Sequence, residues 1–314
     1  MTIDLLLDCD TGVDDALAIL YAAGEGARLR ACTVTHGNVP VELGTRNTLT
    51  VLDLLGLTEV PVYAGAARPM AQPLETSELV HGRDGLGDAG IVPSTRAPFG
   101  DMAAAEIVRL ARESPGELTL VAVGPLTNIG LALLLEPRLP QLVRKIVVMG
   151  GAVGVAGNTS QLAEANIWHD PEAAQLVLDA SWDLVLVGLE TTMRCPMPDQ
   201  VLQRIEAASD PRARFVWAII QGYLGFYEAS LGRRSCVPHD AIAIALAIDP
   251  GLGTYRTVEA FVETGQGRTR GAVVGDLRTS RPVPTDPNAP GVIRIVDRFD
   301  TDTFYQRMLA SLGA

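Results

Sequence analysis

Continuous apolar runs of strand length recur through the first two thirds of the chain, at residues 3–7, 31–35, 60–64, 118–123, 146–149 and 184–187. Runs that do not alternate with polar residues are expected of strands covered on both faces, as in a parallel sheet. Between most of them, apolar positions recur at helical spacing, over 15–23, 44–55, 102–112, 128–135 and 171–178. The last of these opens with Asp170 as N-cap and Pro171 at the first helical position. From about residue 199 the pattern changes to longer helices, over 199–208, 212–230 and 240–248. Strands follow near 258–264, 271–276 and 292–296, with a closing helix over 301–312. This alternation predicts an α/β fold with a mostly parallel sheet flanked by helices. No repeat, low-complexity linker or long charge run interrupts it, so one domain is expected over 1–314. Two uncharged stretches, 118–135 and 146–163, approach membrane-span length. Gly124-Pro125 breaks the first, and glycines followed by Asn158, Thr159 and Ser160 end the second, so neither reads as a span.

In open sheets of this kind ligands sit beyond the carboxyl ends of the strands. Immediately after the first strand comes DCDTGVDD at 8–15, four carboxylates in eight residues. Such crowding at the mouth of a buried sheet is costly unless the charges are solvated, capped or neutralised. Asp14 and Asp15 would fall in the first turn of the next helix, where the macrodipole favours acids. Capping explains one or two acids, with Asp8 and Asp10 left to a solvated loop, but it does not explain four. A hard divalent cation does, and oxygen-only ligands select calcium or magnesium over zinc. Pro238-His239-Asp240 leads into the last of these longer helices, just before its stretch 241–248, as a helix cap with an incidental histidine or as an imidazole set beside a carboxylate. Asn158, Glu164 and Asn166 follow the Gly150-Gly151 strand end, as turn formers or as groups that hydrogen-bond several sugar hydroxyls. HGRDGLG at 81–87 reads as a mobile lid bearing His81 or as an ordinary surface loop.

Asp8 and Asp10 after an apolar strand also fit a haloacid-dehalogenase-type, metal-dependent phosphatase, with the first Asp as nucleophile. That chemistry needs a lysine near the phosphate, and the sole lysine, Lys145, stands at the beginning of its strand. Gly151, Gly154 and Gly157 give GxxGxxG rather than the dinucleotide pattern GxGxxG. The 37 acidic against 25 basic residues, a net charge of -12, disfavour nucleic acid and anionic membranes as partners. The four cysteines, Cys9, Cys32, Cys195 and Cys236, form no CxxC pair and read as reduced thiols of a cytoplasmic protein. No basic, apolar leader follows Met1.

Five motifs, DCDTGVDDALAI at 8–19, HGRDGLG at 81–87, LVAVGPLTNIG at 120–130, VVMGGAVGVAGNTSQLAEANIWHDPEAA at 147–174 and VPHDAIA at 237–243, together resemble the inosine-uridine-preferring nucleoside hydrolase family over nearly the whole chain. The resemblance implies a Rossmann-like nucleoside hydrolase fold, a bound Ca²⁺, hydrolysis of the N-glycosidic bond of ribonucleosides, and a homodimer or homotetramer. It implies that Asp10, Asp15 and Asp240 ligate calcium through carboxylates and Val123 through its main-chain carbonyl. Asp14, Asn38, Asn158, Glu164 and Asn166 would then hold the ribose. His239 occupies a position that often carries the acid assisting a purine leaving group, and His81 is retained as well. Tyr223 and Tyr227, four apart on a helix, would close over the base or simply pack in the core. Thr11 stands where the family usually has proline, a change expected to cost rigidity more than chemistry.

Cleaving a ribosyl C–N bond passes through an oxocarbenium-like sugar, so a nucleophilic water, negative charge and help for the departing base are all required. On this reading Asp10 accepts the water's proton and His239 assists the base. A phosphatase built on Asp8 and Asp10, or a nucleoside- or ribose-binding protein without turnover, are the other readings.

Overall fold

The computed structural model describes residues 3–280, 282 and 284–314. Among the described residues nine strands form one sheet: β1 (Asp4–Cys9), β2 (Arg28–Val34), β3 (Val62–Ala64), β4 (Thr119–Ala122), β5 (Lys145–Met149), β6 (Leu184–Val187), β7 (Gly253–Val262), β8 (Val273–Gly275) and β9 (Val292–Phe299), in the order β3-β2-β1-β4-β5-β6-β9-β7-β8. From β3 through β9 all neighbours are parallel. Only β7 against β9 and β8 against β7 are antiparallel.

The two-residue period of a strand divides the core into two layers. Leu5 and Leu7 of β1, Val121 of β4 and Val147 of β5 face helices Val13–Gly24, Pro211–Leu231, His239–Ile248 and Thr301–Leu312. Leu6, Leu120, Ile146 and Val148 face the opposite layer, built on Ala103–Glu113, Thr127–Leu135 and Pro171–Leu178. This confirms a mostly parallel sheet flanked by helices.

Every longer helix expected from the sequence is present, with ends moved by a few residues. Strand β7 begins at Gly253, five residues before the expected run. Its outer half alternates between exposed and half-buried positions, and only from Val258 onward does one face become fully buried, so the apolar run marks the part with a covered face. The one-turn helices Glu78–His81, Leu139–Leu142, Ala165–His169 and Leu189–Thr192 were not anticipated, because one turn shows no period. No helix among the described residues is long and apolar enough to cross a membrane.

Strand order reverses between β1 and β4, one running out to β2 and β3, the other to β5 and β6. A crevice therefore opens at their carboxyl ends. His239–Ile248 (HDAIAIALAI) is apolar all round and buried from His239 through Ala247, packed between the sheet and Val13–Gly24. Its amino end and that of Val13–Gly24 meet at the crevice, bringing together carboxylates 225 residues apart in sequence, Asp15 and Asp240.

Candidate active site

Asp14, Asp15 and Asp240 each present a carboxylate oxygen within 4.8 Å of the others, all in first turns of helices. Asp10 lies beside them at the end of β1, and none of the four is more than 7% exposed. Burial first, and mutual repulsion with it, raises the pKa of Asp10, Asp14 and Asp240, and burial raises that of Asp15. Asp15 does cap its helix: Oδ2 accepts from Gly12 N at 2.8 Å and Oδ1 from Asp10 N at 3.1 Å. Asn38 holds two of the acids, its backbone N–H donating to Asp10 Oδ2 at 2.6 Å and its Nδ2 to Asp15 Oδ2 at 3.0 Å. Asp10 Oδ1 and Asp14 Oδ1 are buried without any hydrogen-bond partner. Orphaned carboxylate oxygens in an all-oxygen cluster fit a hard metal ion, and nothing here is a soft ligand.

Asp8 does not belong to this cluster's surface. It points into the opposite layer, where its Oδ1 accepts from Thr33 Oγ1 at 2.6 Å and Asn128 Nδ2 at 2.8 Å, and it is fully buried. Neither a solvated loop nor a phosphatase nucleophile describes it. Lys145 Nζ donates to Ala247 O at 2.9 Å, at the amino end of β5 and so at the far end of the sheet from the acids.

Over the acids lies a cavity of about 340 Å³ whose lining includes Asp14, Asn38, His81, Val123, Asn158, Glu164, Asn166, Tyr223, Tyr227, His239 and Asp240. All the substrate-contact candidates thus meet in one cavity, with Asp10 and Asp15 behind its wall. Glu164 caps Ala165–His169: its oxygens accept from Asn166 N at 2.9 Å and Gly151 N at 2.9 Å, and burial pushes its pKa up to about 7. Asn166 Nδ2 donates to the Val123 carbonyl at 2.8 Å and the Met149 carbonyl at 3.2 Å, so Val123 O already accepts one bond. Asn158 is exposed at the rim, its Oδ1 accepting from Ala165 N at 3.0 Å.

The roof is aromatic. His81 and Tyr223 rings lie 5.4 Å apart, and Tyr223 meets Tyr227 edge-on at 5.0 Å. Both tyrosines are core residues and also line the cavity, so the two expectations for them hold together. Tyr223 Oη donates to Asp14 Oδ2 at 3.2 Å. His81 Nδ1 accepts from Val13 N at 3.2 Å, which places the ring proton on Nε2. Burial pushes His81 down to about 3, so its 3.8 Å approach to Asp14 is not an ion pair at neutral pH. The 81–87 loop is pinned rather than loose: Leu86 is buried, and Asp84 Oδ1 accepts from Leu86 N at 2.7 Å and Asp88 N at 3.0 Å.

His239 has both ring nitrogens engaged, Nε2 with Tyr227 Oη at 2.6 Å and Nδ1 with Thr192 Oγ1 at 2.8 Å. Burial pushes it down to about 3, and it is neutral at neutral pH. Thr192, from an unanticipated one-turn helix, was invisible to motif reading. So were Val80, Met193 and Phe226, which complete the cavity wall. The Thr11 hydroxyl is buried and hydrogen-bonded to Thr48 Oγ1 at 2.7 Å.

The model of the family described as inosine-uridine preferring nucleoside hydrolase matches residues 5–306. The inosine-uridine preferring nucleoside hydrolase of Crithidia fasciculata is 35% identical over 281 residues, 88% of this chain and 89% of the relative. The pyrimidine-specific ribonucleoside hydrolase RihA of Shewanella woodyi is 36% identical over 279 residues, covering 88% and 89%. Among solved structures, the plant nucleoside hydrolase PpNRh1 superposes with a TM-score of 0.92 at 28% identity over 100% of both chains. The purine-preferring ribonucleoside hydrolase of Gardnerella vaginalis does so at 0.89 and 33% identity over 98% of each. By these matches the chain belongs to the inosine-uridine preferring nucleoside hydrolase family and is a ribonucleoside hydrolase, an enzyme that uses water to cleave the N-glycosidic bond of ribonucleosides.

Proposed function

We propose that the acidic cluster holds Ca²⁺ through the carboxylates of Asp10, Asp15 and Asp240 and the carbonyl of Val123, and that a ribonucleoside enters the cavity sugar first. The observation carrying this reading is the pair of orphaned oxygens, Asp10 Oδ1 and Asp14 Oδ1, in a buried carboxylate cluster under a cavity walled by amides and roofed by aromatic rings. When bound, the cation would orient a water and the ribose 2′- and 3′-hydroxyls and modestly lower the water's pKa.

The chain's own groups divide the remaining work. Asp10, its Oδ2 fixed by the Asn38 N–H, has Oδ1 to accept the proton of the attacking water. Asn166 spends both amide N–H groups on the protein and Asn38 one of its own on Asp15, and both offer Oδ1 to sugar hydroxyls, while Asn158 offers its amide N–H group. Asp14 and Glu164 place negative charge against the cationic sugar. The departing base takes the proton of the Tyr227 hydroxyl, which accepts in turn from the Nε2–H of a neutral His239 whose Nδ1 accepts from Thr192 Oγ1; once the base has left, water restores the Tyr227 proton and carries away the one Asp10 took from the attacking water. His239 therefore acts through Tyr227 rather than as a pre-protonated acid. Val80, Met193 and Phe226 give the base an apolar wall, which discriminates weakly between bases, by about 10–200-fold. Both inosine and uridine are thus proposed as substrates, consistent with relatives named for purine, pyrimidine and mixed preference.

A homodimer or homotetramer, testable by light scattering, and a cytoplasmic location complete the proposal. The location is supported by four free, buried cysteines. Incubation with inosine, uridine and a phosphate ester tests the reaction. Ribose release from the nucleosides is expected. Phosphate release alone, or nucleoside binding without turnover, would overturn it.

A further inference from the structure

We infer that His36, Thr127 and Asp170 form a buried brace that positions the Asp10 carboxylate for metal binding. The inference rests on the reading of the acidic cluster as a Ca²⁺ site.

Asp10 directly follows β1, the strand between β2 and β4, and the turns leaving those two neighbours close over it from both sides. After β2, the Asn38 N–H donates to Asp10 Oδ2, and Gly37 lies so close that a Cβ there would stand 2.0 Å from the same oxygen. After β4, a Cβ on Gly124 would stand 2.9 Å from Asp10 Oδ1. The two turns also touch each other, since the same Cβ on Gly37 would be 2.8 Å from Pro125 Cδ. Both oxygens of Asp10 are therefore set by where these turns sit.

One polar chain ties the turns together. His36, immediately before Gly37, meets Thr127 Oγ1 through Nε2 at 3.1 Å. Thr127 opens the helix that follows the Gly124-Pro125 turn, and its hydroxyl donates to Asp170 Oδ2 at 2.7 Å. A hydroxyl has one proton, so with that proton on Asp170 the Thr127 oxygen accepts from His36. The imidazole is then the Nε2–H tautomer, with Nδ1 bare and buried without a partner. Asp170 is anchored in turn by Met70 N at 3.0 Å on Oδ2 and Ala173 N at 3.1 Å on Oδ1. Burial pushes His36 down to about 4, which keeps the ring in the neutral, single-donor form the chain requires. All three residues are at most 2% exposed, so solvent does not replace a lost bond. None of them lines the cavity, which makes them positioning residues.

The test is calorimetric titration of Ca²⁺ into the metal-stripped full chain, with thermal midpoints measured alongside. Thr127→Val keeps shape and removes the hydroxyl. It should weaken Ca²⁺ binding by about 10–100-fold, the usual cost of losing a group that orients a ligand. Thr127→Ser restores the hydroxyl and should stay within about threefold of wild type, well inside that cost. His36 gives an independent pair, useful should Thr127→Val not fold. His36→Gln carries an amide N–H to the Nε2 position and should bind nearly as wild type, whereas His36→Asn is too short and should lose affinity. A purely structural role would lower the thermal midpoint of all four variants without separating their Ca²⁺ affinities, and that result would overturn the inference. Wild-type protein that binds no Ca²⁺ would instead overturn the underlying metal reading.

Discussion

Tyr227→Phe removes the hydroxyl 2.6 Å from His239 Nε2 while keeping the ring that packs edge-on against Tyr223 and Phe226. Its cost to folding includes the lost hydrogen bond that leaves a buried imidazole nitrogen unsatisfied, about 1–3 kcal/mol. Its cost to catalysis should be larger. Proton delivery to a leaving group contributes about 10²–10⁴-fold, which at 1.36 kcal/mol per tenfold is about 3–5 kcal/mol of barrier. The two costs are separable, because a folded variant shows the second in kcat. The assay compares Tyr227→Phe, His239→Ala and the double variant on inosine and on a nitrophenyl riboside, whose leaving group departs without a proton. Each single change should lower kcat for inosine by about 10²–10⁴-fold with a smaller effect on KM, and by less than about tenfold for the nitrophenyl riboside. The double variant should be no slower than the worse single, since hydroxyl and imidazole act as one unit. Equal losses on both substrates, or losses that multiply in the double variant, would refute the relay and make His81 and Tyr223 the groups to test.

Asp240→Ala should behave differently, slowing inosine and nitrophenyl riboside to the same degree and by more than the roughly 100-fold typical of groups one step removed from a metal. A loss confined to inosine would contradict its place in the acidic cluster. Acid should destabilise the fold through His169, which burial pushes down to about 4 against about 6.5 in the unfolded chain. Below pH 6.5 the unfolded chain takes up a proton the native state does not, so this stability is full above that pH and lost as pH falls toward 4. Unfolding free energies from urea titrations at pH 7 and 4.5 should differ less in His169→Gln than in wild type, by on the order of 2 kcal/mol. His36, His81 and His239 act with the same sign, so part of the dependence should remain, and an unchanged pH dependence would show that His169 contributes nothing to it.

The parts of this molecule legible in its sequence are those governed by local pattern. Continuous apolar runs such as Leu184–Val187 are buried at every position, and the run and the strand coincide. The crowding of Asp10, Asp14 and Asp15 was readable because like charges that close need a physical reason, and the structure supplies a buried cluster of Asp14, Asp15 and Asp240 with buried Asp10 beside it. What the sequence concealed depends on which loops converge. Asp170 reads correctly as an N-cap, yet its second oxygen reaches Thr127, 43 residues away. Thr192 lies 47 residues from His239 and closes the chain of hydrogen bonds on the buried imidazole. Asp8 looked like its acidic neighbours, but an even position on β1 sends it to the opposite layer, toward Thr33 and Asn128. A period of two decides that, and only once the strand's register is known.

Metal dependence bears most directly on the proposed chemistry. Protein stripped exhaustively by chelation, with metal loss verified by elemental analysis, should release no ribose from inosine or uridine, unfold at a lower temperature than the metal-loaded form, and regain both properties when Ca²⁺ is restored. Full turnover by protein shown to be free of metal would contradict the assignment of Asp10, Asp15 and Asp240 as a Ca²⁺ site.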